Sequence, residues 1–194
     1  MMAPHEFRRI AVTETALIPH PRAIPAVRLE LRAGAELVPA GPGLNLSYRV
    51  RGALNYLAIP PGAAAQRADG LWEHTCFEAF VAAPGDEGYL ELNFSPSTEW
   101  AAFAFDGYRQ GMRPLDLTEP PTVRVAETKN ELRVTAGIEL GGLADAPWPW
   151  RIGLTAVVED RAGGRAYYAL LHPRDKPDFH DAAAFTVLLD GSVR

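Results

Sequence analysis

The sequence predicts a single β-sandwich of about eleven mostly antiparallel strands. Three observations predict it. Short runs alternate apolar and polar residues with period two. Turn-forming residues, among them 17 glycines and 17 prolines, fall between those runs. No segment carries an extended helical stripe of apolar side chains.

The runs are, in order, AVRLELR, LNLSYRV, NYLAI, CFEAFVA, YLELNFS and WAAFAF, then TVRVAE, ELRVTAGI, WRIGLTAVVE, AYYALL and AFTVLL. PGDEG, SPST, APWP and DRAGG supply turns between them. Residues 1–24, broken by Pro19 and Pro21, are expected to be irregular or an edge strand, and residues 25–194 to form the domain.

PGDEG should close an antiparallel hairpin between CFEAFVA and YLELNFS. Phe77 then faces Phe94, Ala79 faces Leu92 and Val81 faces Leu90. That face is wholly apolar and belongs to the core, which fixes the register. The opposite face pairs Glu78 with Asn93, Phe80 with Glu91 and Cys76 with Ser95. In WAAFAF we expect Phe103 and Phe105 on the core face, with Trp100, Ala102 and Ala104 on the mixed polar face. The alanines would leave space, Trp100 would form a wall, and Glu78 and Asn93 a hydrogen-bonding floor. An aromatic face with carboxylate and amide groups suits a sugar. The alternative is that a loop or the N-terminal segment covers this face.

A second cluster comes from LWEHTCFE and ALLHPRDKPDFHD, which supply Trp72, His74, His172, Lys176 and His180. A loop at a strand end is a common place for a site. The histidine spacings match no compact metal motif. Phosphate-loop, dinucleotide and nucleophile-elbow motifs are absent. The lone Cys76 excludes an internal disulfide and reads as a small buried apolar residue. A formal net charge of −5 argues against nucleic-acid and anionic-membrane partners. No apolar run has the length of a membrane span, and the N-terminus lacks a signal-peptide core, so a cytoplasmic location is expected.

Three stretches, DGLWEHTCFEAFV, YLELNFSPSTEWAAFAFDGYRQGM and HPRDKPDFH, resemble the DOMON-like proteins of bacteria. They resemble in particular the group associated with UDP-N-acetylmuramate dehydrogenase. The resemblance implies a sandwich similar to family 9 carbohydrate-binding modules and to haem-binding DOMON domains. The haem-binding relatives use a methionine and a histidine. Here Met112 reads as a turn and His172 is the nominal histidine, so neither haem nor a divalent metal is expected as a cofactor. The expected function is non-enzymatic binding of a carbohydrate or sugar derivative. The expected site is Trp72, His74, Glu78, Asn93, Trp100, Tyr108, Arg109, His172, Lys176 and His180. Two alternatives stand beside it. One is an interaction module linked to cell-wall precursor metabolism, with a protein partner or a second copy of the chain. The other is a metal-dependent enzyme using the histidines.

Overall fold

The computed structural model describes residues 14–38, 43–141 and 147–191. They form a nearly all-β, antiparallel structure, as the alternation predicted. One sheet contains β2 (Leu29–Leu37), β3 (Gly43–Gly52), β8 (Thr122–Glu127) and β9 (Glu131–Glu139), in the order β2-β3-β9-β8. The other contains β4 (Cys76–Ala82), β5 (Tyr89–Phe94), β6 (Trp100–Phe105), β7 (Arg113–Pro114), β10 (Trp150–Glu159) and β11 (Arg165–Ala169), in the order β7-β6-β5-β4-β10-β11. A short β12 (Val187–Leu189) also pairs with β10.

The two sheets are joined by β1 (Thr15–Pro19), whose first half pairs with β2 and whose end pairs with β11. This corrects the expectation of an irregular or edge segment. Pro19 ends the strand and Pro21 lies beyond it, so neither removes a ladder hydrogen bond from the strand interior. Residues 1–13 lie outside the described part. NYLAI is also corrected. Leu54–Tyr56 is a single 3-10 turn, and only Leu57 makes an isolated bridge, to Asp160.

The main core lies between the sheets. Leu31, Leu46, Tyr48, Leu132 and Val134 from one sheet meet Phe77, Leu92, Phe94, Ile152 and Leu154 from the other. Removing these side chains from water stabilises the fold by about 1.5–3 kcal/mol for each large one. The Tyr48 hydroxyl crosses this core and donates to the Glu78 backbone carbonyl at 2.7 Å. That satisfies the buried phenol and ties β3 to β4 directly beneath the polar face.

The β4–β5 hairpin has the predicted register: Phe77 opposite Phe94, Glu78 opposite Asn93, Ala79 opposite Leu92, Phe80 opposite Glu91. The facing of β6 is the reverse of the expectation. Phe94 lies opposite Trp100, Leu92 opposite Ala102 and Leu90 opposite Ala104. Trp100 and the two alanines therefore point to the inter-sheet side, and Ala101, Phe103 and Phe105 share the face of Glu91. The five residues from Ser95 to Glu99 set this register, with Ser95 N–H donating to the Glu99 carbonyl and Thr98 at φ 77°. Arg67 covers Trp100, 5.1 Å from its ring, and donates to the Ala102 carbonyl.

Candidate ligand-binding site

The outer face of the β4–β5–β6–β10–β11 sheet carries a second cluster of buried residues, including Cys76, Phe80, Tyr89, Phe103, Phe105, Phe179 and Phe185. The segment after β11 folds over part of this face and brings Phe179, Ala184 and Phe185 onto it. The face is thus half covered. What stays uncovered is a cavity of about 560 Å³, lined by Trp72, Glu78, Glu91, Phe105, Arg109, Tyr167, Phe179 and His180 among others.

Its floor is a pair of glutamates on neighbouring strands. Glu78 is 3% exposed and Glu91 5% exposed. Each has one oxygen held by a neutral donor. Thr155 Oγ1 donates to Glu78 Oε2 at 3.3 Å, and Asn93 Nδ2 donates to Glu91 Oε1 at 2.7 Å. Glu78 Oε1 is buried without any partner. Burial, and then the charge of Glu91, push the Glu78 carboxyl well above its usual range. Burial also raises Glu91, against the hydrogen bond from Asn93 and the charge of Arg109.

One side of the cavity is built from a linked set. Asp178 accepts from the Tyr108 hydroxyl at 2.5 Å, from Arg109 Nη2 at 3.0 Å and from the His180 N–H at 3.2 Å. Burial would raise the Asp178 carboxyl, but these donors outweigh it and hold it below the usual value. Arg109 has a left-handed backbone, φ 54°, which costs about 1–3 kcal/mol for a non-glycine residue. That conformation turns its N–H onto the Tyr89 hydroxyl at 3.2 Å. The same hydroxyl lies 2.7 Å from His180 Nδ1. His180 Nε2 lies 3.8 Å from Glu91 Oε2.

Rings of Phe80, Tyr89 and Phe105 meet His180 edge-on at 5.3, 5.9 and 5.2 Å. Burial first, then the charge of Arg109, bring His180 down to about 4. A histidine lowered on folding binds fewer protons in the native state. Its contribution is therefore constant above the ordinary 6.5 and is lost as pH falls toward about 4. We expect the His180 ring signals in an NMR titration to stay those of a neutral imidazole until about pH 4. We also expect His180→Asn to lose less stability than wild type between those limits. The two floor carboxyls act in the opposite sense over this range, so the wild-type minus variant difference isolates the histidine.

Trp72 forms another wall. Gly70, at φ 72°, makes the left-handed turn that a side chain would resist, and the 3-10 turn Leu71–Glu73 follows it. The indole packs edge-on against Phe103 at 5.8 Å and remains partly exposed.

Of the residues expected from sequence, Trp72, Glu78, Arg109 and His180 meet at the cavity. Asn93 is fully buried beneath it and acts through Glu91, and Tyr108 acts through Asp178. Trp100 lies on the other side of the sheet. His74 is bound outside the cavity to Glu159 at 2.8 Å, and His172 donates to the Ile18 carbonyl at 2.9 Å. Lys176 is exposed on the loop. The three histidines therefore have separate partners, and among the described residues no group of three or more His, Cys, Asp or Glu is placed to hold a metal ion. The Cys76 thiol is buried and raised chiefly by that burial, which suits an inert residue rather than a nucleophile. Glu91, Tyr89, Tyr167, Phe179 and Asp178 stand outside the expected set, although the sequence already put Glu91 on the polar face. The period-two pattern of YLELNF placed Tyr89, Glu91 and Asn93 on one face, but nothing local announced Tyr167 and Phe179.

The fold and cavity together define a β-sandwich with a polar-floored pocket on one outer sheet face. No family model matches the chain, and no curated protein matches its sequence. Among solved structures, a candidate carbohydrate-binding protein of Bacteroides uniformis is similar over 92% of this chain and 86% of that one, with 14% identity and a TM-score of 0.70. A family 9 carbohydrate-binding module from Caldicellulosiruptor kristjanssonii, in complex with cellotriose, is similar over 90% and 83%, with 12% identity and a TM-score of 0.55. At these identities the likeness establishes the fold.

Proposed function

We propose that this protein binds a carbohydrate or sugar derivative in the cavity above Glu78 and Glu91, without chemically altering it. The observation that carries the reading is the buried Glu78–Glu91 pair at the cavity floor, in which Glu78 Oε1 has no partner within the protein. An orphaned buried acceptor costs about 1–3 kcal/mol, and a ligand hydroxyl or amine would relieve that cost. The volume falls within the roughly 300–1,000 Å³ of small-molecule sites. Trp72, Phe105, Tyr167 and Phe179 offer apolar walls suited to sugar C–H faces. The cellotriose complex of the family 9 module supports a carbohydrate as the ligand class.

Hydrolysis is less well served. A glycosidase pair needs environments that separate its two carboxyls into acid and base. Here burial raises both. An interaction surface at Trp100 is also poorly served, because that indole is buried beneath Arg67.

Calorimetry with mono- and oligosaccharides, amino sugars and sugar nucleotides tests the proposal. A hit should stabilise the native state by mass action. Trp72→Ala should weaken it by about tenfold, since an aromatic contact contributes roughly 0.5–1.5 kcal/mol beyond its area. Binding that Trp72→Ala leaves unchanged would place the ligand elsewhere and overturn the proposal.

A further inference from the structure

The charge balance of the cavity floor goes further than a generic sugar. Resting on the carbohydrate reading of the same cavity, we infer that the ligand carries a protonated primary amine. Its class is then an amino sugar with a free amino group.

The floor holds two buried carboxyls with no committed cation. Glu78 Oε1 has no partner, and Glu91 Oε2 has only His180 Nε2 at 3.8 Å. The nearby cations are engaged elsewhere. Arg109 is paired with Asp178 at 3.0 Å. His180 is buried among Phe80, Tyr89 and Phe105, and that burial with the charge of Arg109 brings it down to about 4, so it carries no charge near neutral pH. Arg165 also lines the cavity, but it is solvent-exposed, so water screens its charge from the buried floor. A neutral hydroxyl can donate to each free oxygen but brings no charge, so the buried pair is left either uncompensated or neutralised only by a proton of its own. An ammonium supplies three donors, no acceptor and the missing charge. The aromatic walls suit the same group, because ring faces attract cations.

The groups acting on the pair are each other, Arg109 and His180 on the cavity side, Tyr89 on β5, and Cys76 and Tyr48. Burial raises both carboxyls, with the charge of Glu91 adding to it at Glu78, and an ammonium beside them acts in the opposite sense. A proton that the pair holds before binding therefore passes from a carboxyl oxygen to the buffer as R–NH3⁺ enters, one positive charge replacing another and no other bond changing.

The experiment is calorimetry with glucosamine, N-acetylglucosamine, glucose and ethanolamine, in mildly acidic phosphate and in a second buffer of different ionisation enthalpy. Glucosamine should bind at least about tenfold more tightly than glucose or its N-acetyl derivative, as charge-assisted hydrogen bonds imply. Its measured enthalpy should differ between buffers because a proton is released. Glu91→Gln should erase the preference for the amine. Glucose and glucosamine binding equally, with no buffer dependence, would overturn the inference and leave the carbohydrate reading standing. Ethanolamine binding in the absence of any sugar binding would support the amine and overturn the carbohydrate. No binding by any of the four would overturn both.

Discussion

Glu78→Gln is expected to make the protein more stable at neutral pH and to abolish ligand binding. The gain should be about 1–3 kcal/mol, the cost of leaving a buried polar group unsatisfied. For a chain of this length that is roughly 2–4 °C per kcal/mol in melting temperature. The substitution keeps an acceptor for the Thr155 hydroxyl and provides an N–H₂ beside Glu91, replacing repulsion with donation. The sign of the pH effect follows from the raised carboxyl. The native state holds this proton more tightly than the unfolded chain does. Stability from that group is fully present below the ordinary 4.5 and is lost as pH rises through the elevated native value. Glutamine does not titrate. Urea denaturation should therefore show variant and wild type converging below the ordinary range and separating above it. Binding should fall by about 100-fold or more, because the variant has lost the charge and the free acceptor together. A variant less stable than wild type at neutral pH, with a gap that acidification does not close, would mean that Glu78 is satisfied and structural.

The same trade is visible around the cavity. Arg109 holds an unfavourable backbone conformation, and two glutamates are buried without a counter-ion. Each lowers stability, and together they bring an arginine and two carboxyls to one space. Local features that work against stability and converge on a pocket are what a ligand site produces.

Much of this was legible in the sequence, and the misses have two causes. The β4–β5 hairpin was readable because its apolar alternation admits a single register, which delivered Glu78 opposite Asn93 and Phe80 opposite Glu91. The facing of β6 was not. Bulky Phe103 and Phe105 look like core residues and the alanines like open space. Yet the cavity itself needs aromatic walls, while the inter-sheet side is already filled by Phe77, Leu92 and Phe94. Size alone cannot tell a cavity wall from a core residue. Tyr167 reaches the site from β11, Phe179 and Asp178 come from the segment after it, and His180 gains its environment from Tyr89, 91 positions away. Such pairings depend on long-range topology rather than local pattern. His74 and His172 show the converse, since residue types suited to a site are used here to fix Glu159 and the β1 backbone.

Phe80 joins the fold to the site, and Phe80→Ala is the substitution expected to cost most. The residue is fully buried on the outer face of β4. Its ring stacks on Phe185 at 5.5 Å and meets His180 at 5.3 Å. Across the ladder it faces Gly153, where a Cβ would lie 2.6 Å from Phe185. The glycine is therefore what lets Phe185 close over Phe80, and no neighbouring side chain stands ready to fill the hole. Truncation to alanine should cost about 3–5 kcal/mol by urea unfolding. Phe80→Leu, which keeps most of the volume, should cost less. The site supplies a second readout. Water entering the hole would relieve the burial that depresses His180, so its NMR titration should move up from about 4 toward the ordinary 6.5 in the alanine variant. A cost below about 1 kcal/mol would mean that Phe185 or His180 collapses into the space. An unmoved His180 alongside a full stability loss would instead show that its environment is held by Tyr89 and Phe105 alone.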